Sequence, residues 1–96
     1  MSHGKIDFGE YLHQLRTEHK LSQKIVADKL GIDISMLSKI EHGERQVQSH
    51  MLMPVAELFD LDFKTLNIQF LQHRIEKDYG EETFFNEAIE TFKSKK

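Results

Sequence analysis

Apolar residues recur along this chain at spacings of three and four, the period of helices with one buried face, and no segment alternates as a half-buried strand would. Phe8, Leu12 and Leu15 predict a first helix over about residues 7–20. Ile25, Val26, Ala27 and Leu30 predict a second over 22–30, and Leu37 and Ile40 a third over 34–41. Leu52, Val55, Ala56 and Phe59 mark a fourth over 49–59, where Pro54 removes a backbone donor and disfavours helical geometry at Met53, so this helix should start late or bend. A fifth is expected over 63–78 behind Asp62 as cap, and a sixth over 82–94 beyond Gly80. The reading is all-α, with no repeat, low-complexity stretch or flexible linker.

The punctuation between the second and third helices is the most informative part. Ser22 can cap the second helix, Gly31 can take the left-handed conformation that closes it, and Asp33 can cap the third, so the turn is very short. Leu37 and Ile40 turn one face of the third helix inward, and the other face presents Ile34, Ser35, Ser38 and Lys39. A helix held this way can enter a DNA major groove. Gly43 closes it, and the polar stretch 44–48 reads as a loop.

The fifth helix has more apolar surface than one face needs. Phe63, Leu66 and Phe70 form one stripe and Ile68, Leu71, Ile75 and Tyr79 another, the mark of a helix packed on two bodies. In the sixth, Phe84, Phe85, Ala88, Ile89 and Phe92 gather on one side of a helix that is otherwise charged. Aromatics at this density on a small domain form a patch that marks association. A dimer interface is therefore expected from Phe70, Leu71, Ile75, Tyr79, Phe84, Phe85, Ile89 and Phe92, the alternative being that the tail folds back on its own chain.

The motif Leu21-Ser22-Gln23, with Ala27, Leu30-Gly31-Ile32 and Ser38-Lys39-Ile40-Glu41-His42-Gly43, resembles the Cro and lambda-repressor class of bacterial helix-turn-helix proteins, the XRE family. Phe8-Gly9, Leu12 and Leu15-Arg16 match that family's first helix, and Leu52, Val55-Ala56, Phe59, Leu61 and Leu66 its later ones. The likeness runs to about residue 68. It implies a five-helix lambda-repressor-like DNA-binding domain over 1–68; residues 69–96 fall outside it and are expected, from their apolar faces, to form a C-terminal helical extension for dimerisation. It also implies that Gln23 touches a phosphate and buttresses the recognition helix. Ser35, Ser38 and Lys39 would meet bases or phosphates, Lys24 and His42 would stand beside them, and Arg45 and Gln46 would meet the backbone. An ion pair between Arg16 and Glu41 follows from the same resemblance. Ile34 departs from the family, which commonly has Gln or Arg there; isoleucine can touch a thymine methyl but cannot hydrogen-bond a base edge. Met36 is expected at the rim.

Composition narrows the classes. Ninety-six residues make one small domain, which favours help from a partner chain. The absence of cysteine excludes disulfides and thiolate metal sites and fits a reducing cytoplasm. No apolar run reaches the roughly 18 residues of a membrane span, and the N-terminus has no signal-peptide pattern. The six histidines, His3, His13, His19, His42, His50 and His73, show no pair at ligand spacing, and no nucleophile or phosphate-loop motif appears. No metal, cofactor or catalytic activity is expected. Charge argues the other way from DNA. Residues 1–48 hold seven charges of each sign and residues 49–96 six basic and nine acidic, which leaves the chain at −3. Helix N-termini and a doubled contact set in a dimer can offset that deficit. The expected function is a homodimeric, sequence-specific transcription regulator on double-stranded DNA, similar to phage repressors or restriction–modification controllers. The alternative is an antitoxin or interaction module whose C-terminal helices bind a different protein.

Overall fold

Four of the six helices begin where a short polar side chain satisfies an amide that a helix start leaves open. In the computed structural model, which describes residues 7–95, Asp7 accepts from the Gly9 amide, Ser22 from Ile25, Asp33 from Met36 and Asp62 from Thr65. These caps set α1 (Phe8–Glu18), α2 (Gln23–Leu30), α3 (Ile34–Glu41) and α5 (Phe63–Tyr79). A 3₁₀ turn, Ser49–Met51, leads into α4 (Leu52–Phe59), and α6 is Phe85–Ser94. Pro54 falls at the third position of α4, within the first turn, where its missing N–H has no intrahelical partner to lose. The helix thus starts late and needs no kink.

Two glycines are required by backbone geometry. Gly31, at φ +73°, lets the chain reverse between α2 and α3, with the Ile32 amide reaching back to the Ala27 carbonyl at 3.0 Å. Gly9 serves a different end: a Cβ there would collide with the Ile40 carbonyl. Its bare backbone lets the start of α1 lie directly on the end of α3.

The core is one cluster shared by α1 to α5, with Leu12, Val26, Leu37, Ile40, Leu52, Val55 and Leu66 almost wholly enclosed. α3 packs between α1 and α2, and α4 ties α2 to α5. Ile25 is an exception to the inward reading of α2, since it faces solvent. α5 runs unbroken through residue 68 and contributes Leu66 and Phe70 to this core. Phe70 was expected on the association face. It is instead 3% exposed and meets the Phe8 ring edge-on at 5.6 Å, because Leu66 and Phe70 turn into the core while Phe63, Ile68, Leu71, Ile75 and Tyr79 are left exposed. α6 buries no residue fully; it is held through a Tyr79–Phe85 stack at 5.3 Å and the half-buried Phe85 and Ile89. The chain measures 45 × 29 × 21 Å, with a radius of gyration of 15.3 Å. A compact domain of this length would be about 12 Å. α6 adds no buried residue to the body, and α5 stays beside it at least as far as His73, whose Nε2 lies 3.4 Å from Asp7 Oδ1.

Candidate nucleic-acid interface

The α2–turn–α3 unit carries the surface. Leu37 and Ile40 are fully enclosed, which fixes the rotation of α3 and leaves Ser35, Lys39 and Ile34, the last 44% exposed, on its outer side. Ser38 is half-buried beside them. Met36 is half-buried too and packs against the core. The exposed row therefore offers a methyl-rich contact, hydroxyls and one cation, a set able to touch thymine methyls, base edges and phosphates.

The end of α3 is locked from behind. Arg16 donates through Nε to Glu41 Oε2 at 2.7 Å and through a terminal nitrogen to Oε1 at 3.0 Å, and its other terminal nitrogen donates to the Leu21 carbonyl at 3.1 Å. His13 Nδ1 lies 3.1 Å and Gln23 Nε2 3.4 Å from Glu41 Oε1. The Arg16 and Glu41 side chains are 13% and 3% exposed. Burial pushes the Glu41 carboxyl up, but hydrogen bonds from Arg16 and His13, the Arg16 charge and the Gln23 amide outweigh it, so the group sits below the ordinary glutamate value. The Arg16–Glu41 pair thus gathers α1, the α1–α2 turn, the start of α2 and the end of α3. Gln23, half-buried at the first turn of α2, braces it.

The flanking groups are placed as follows. Lys24 is exposed and pairs with Asp28 at 3.2 Å, a surface i,i+4 pair worth a few tenths of a kcal/mol, which a phosphate can displace at little cost. The His42 ring hydrogen-bonds the Ser38 carbonyl at 2.7 Å and so closes its own helix. The loop after α3 is not loose. The Glu44 and Arg45 amides both reach the Lys39 carbonyl, at 2.8 and 3.3 Å, which holds the exposed Arg45 and Gln46 beside the helix end. On the second half of α5, Leu71, Ile75 and Tyr79 are exposed and continue to Phe84, which is 70% exposed, and to Phe92.

Three features escaped the sequence reading. His13 as a second donor to Glu41 is signalled only by its place one helical turn before Arg16. Gly9 could have been found as a glycine inside a helical pattern, which marks close approach. The gathering of Arg45 with Arg74 and Lys77 needs the tertiary fold. Among the described residues no cluster of three His, Asp or Glu could hold a metal ion; His3 lies outside them. No helix of the described residues is long and apolar enough to cross a membrane.

Comparison with known proteins falls on the same segment. Residues 12–66, more than half of the chain, match the family model described as helix-turn-helix. A propionyl-CoA carboxylase regulator of Cereibacter sphaeroides is 31% identical over 62 residues, which is 65% of this chain but 13% of that protein. No solved structure matches. With α2 and α3 arranged around Gly31 and the matching segment spanning α1 to α5, the chain belongs to the XRE-family helix-turn-helix proteins, DNA-binding regulators of transcription.

Proposed function

We propose that the chain acts as a homodimer that reads a specific DNA sequence, each subunit laying α3 in a major groove. The observation that carries this is the braced position of α3: its apolar side is enclosed, Glu41 ties its end to α1 and α2, and Ile34, Ser35, Ser38 and Lys39 form the remaining face. Preorganisation of this kind lowers the ordering cost of base contact. Lys39 and Ile34 are the readers, with Ile34 acting at a thymine methyl, while Gln23, Lys24, Arg45 and Gln46 hold the backbone. The apolar stripe of α5 and α6 supplies the second half of the reading, because a single subunit offers few cations and two half-sites double them. The protein works in the cytoplasm, where its DNA is.

Selection of bound sequences from a random DNA pool tests this. The Ile34→Ala and Lys39→Ala proteins should select motifs that each lose preference at one position per half-site, at about 1–3 kcal/mol on the parent's preferred site, whereas Lys24→Ala should select the parent motif and bind every sequence more weakly. Identical motifs from parent, Ile34→Ala and Lys39→Ala would sink base reading by these side chains.

A further inference from the structure

The charge deficit sits in residues 49–96, yet the fold sorts the cations of that half. Arg74 and Lys77 stand three apart on α5 and so share a face. That face meets the segment after α3 across a narrow crevice lined by Gly43 and Arg45 from that segment, by His73, Arg74 and Lys77 from α5, and by Asp7. The crevice holds about 20 Å³, too little for a small molecule, so it is the rim that is available to a partner.

The rim is basic. Among its Lys, Arg, Asp and Glu residues, Arg45, Arg74 and Lys77 stand against Asp7, three positive charges to one negative. Asp7 is already engaged, by the Gly9 amide at 2.9 Å and His73 Nε2 at 3.4 Å. Arg74 keeps its guanidinium 5.7 Å from the centroid of the Phe70 ring, and its Nε lies 3.8 Å from Asp78 Oδ2, an exposed and long pair that competes weakly for it. Lys77 and Arg45 make no ion pair among the described residues. Arg45 is fixed relative to α3 by its own amide on the Lys39 carbonyl.

A helix lying in a major groove has phosphate strands on both sides. The crevice adjoins the C-terminal end of α3, where one of those strands passes. We propose that Arg45, Arg74 and Lys77 form a clamp for that strand, which makes α5 part of the DNA-contact surface and not solely an assembly element. The proposal rests on α3 being the helix that enters the groove. Its contacts are to phosphate, so it adds affinity without sequence preference.

Full-length protein and a mixed-sequence duplex of about 30 base pairs, titrated between about 50 and 200 mM salt, provide the test. Arg74→Gln/Lys77→Gln should make the salt slope shallower by about one unit per charge removed, per subunit, and weaken binding about five- to tenfold per charge at about 0.1 M. Lys77→Gln alone, at an exposed position, should show half of this without disturbing Phe70. Arg74→Lys/Lys77→Arg should keep the parent slope. A slope unchanged in the double variant, with Lys39→Gln still making it shallower, overturns the clamp and leaves α3 as the reader. If Lys39→Gln is also without effect, the α3 reading fails and the clamp with it. A double variant that sediments as a smaller species at unchanged slope would show these cations pairing with the acidic residues at and just before the start of α6, Glu81, Glu82 and Glu87, in a second copy, and that also overturns the clamp.

Discussion

A carboxylate 3% exposed, with three polar side chains turned on it, makes Glu41 the residue on which the position of α3 depends. Arg16→Ala should cost about 3–5 kcal/mol, because it strands a buried charge and does not merely delete a contact. A thermal melt within a degree or two of the parent would contradict that. Arg16→Lys should recover little, since a single ammonium cannot reach two carboxylate oxygens and the Leu21 carbonyl in the planar geometry of the guanidinium. The acid side of the stability profile has a definite sign. The folded Glu41 carboxyl binds its proton less readily than the unfolded one, so its contribution is complete above the ordinary value of 4.5 and is lost as the pH falls through the lower folded value. Glu41→Gln should thus be less stable than the parent at neutral pH and lose less on acidification, and melting curves between about pH 6 and 3 read the difference. At this scale the sequence was legible wherever a residue acts on its near neighbours. Ser22, Asp33, Asp62 and Gly31 all do in the structure what their local chemistry implies. His13 was not legible, because its partner lies 28 positions away.

Among the elements, α1 and α3 lie as close as two backbones can where Gly9 passes Ile40. Ala at this position gains about 1 kcal/mol in helix propensity, but its Cβ has to displace a main-chain carbonyl that cannot swing away as a side chain would. Gly9→Ala should therefore destabilise by about 1–3 kcal/mol or more, and a raised melting temperature would show that α1 can shift without cost. α5 shows why periodicity alone leaves an ambiguity. Both of its stripes are apolar, and nothing in their spacing says which one the body takes. The body took Leu66 and Phe70, the latter through a ring contact with Phe8, a residue far off in sequence. Element ends were legible to within about three residues; the direction in which the C-terminal helices run was not.

For the molecule as a whole, the exposed stripe sets the assembly to be tested. Leu71→Asp and Ile75→Asp place charge on exposed positions, so the body should melt as the parent does. If α5 and α6 join two copies, these proteins should sediment as monomers and lose affinity for DNA steeply. The parent dimer should prefer two half-sites about 10 base pairs apart, centre to centre, or a multiple of that spacing. Dimers that persist in both variants would move the interface to the helix-turn-helix body. Truncation is a blunter tool, because a chain cut before Leu66 loses core side chains along with the stripe.

The joint at Gly80 also divides the chain by its local opening free energy. α1 to α4 and the first half of α5 share one core, so their central amides are released by large-scale unfolding, whereas α6 buries no residue fully and meets α5 through the Tyr79–Phe85 ring stack. In the isolated subunit α6 should exchange its amide protons far sooner than the rest, and a protease at low dose should cut first near residues 80–84. The fragment left behind keeps Glu41, Arg16 and α3 in place. Protection of that site at high protein concentration would report a second copy covering it, and so turn a simple digestion into a reading of the oligomer.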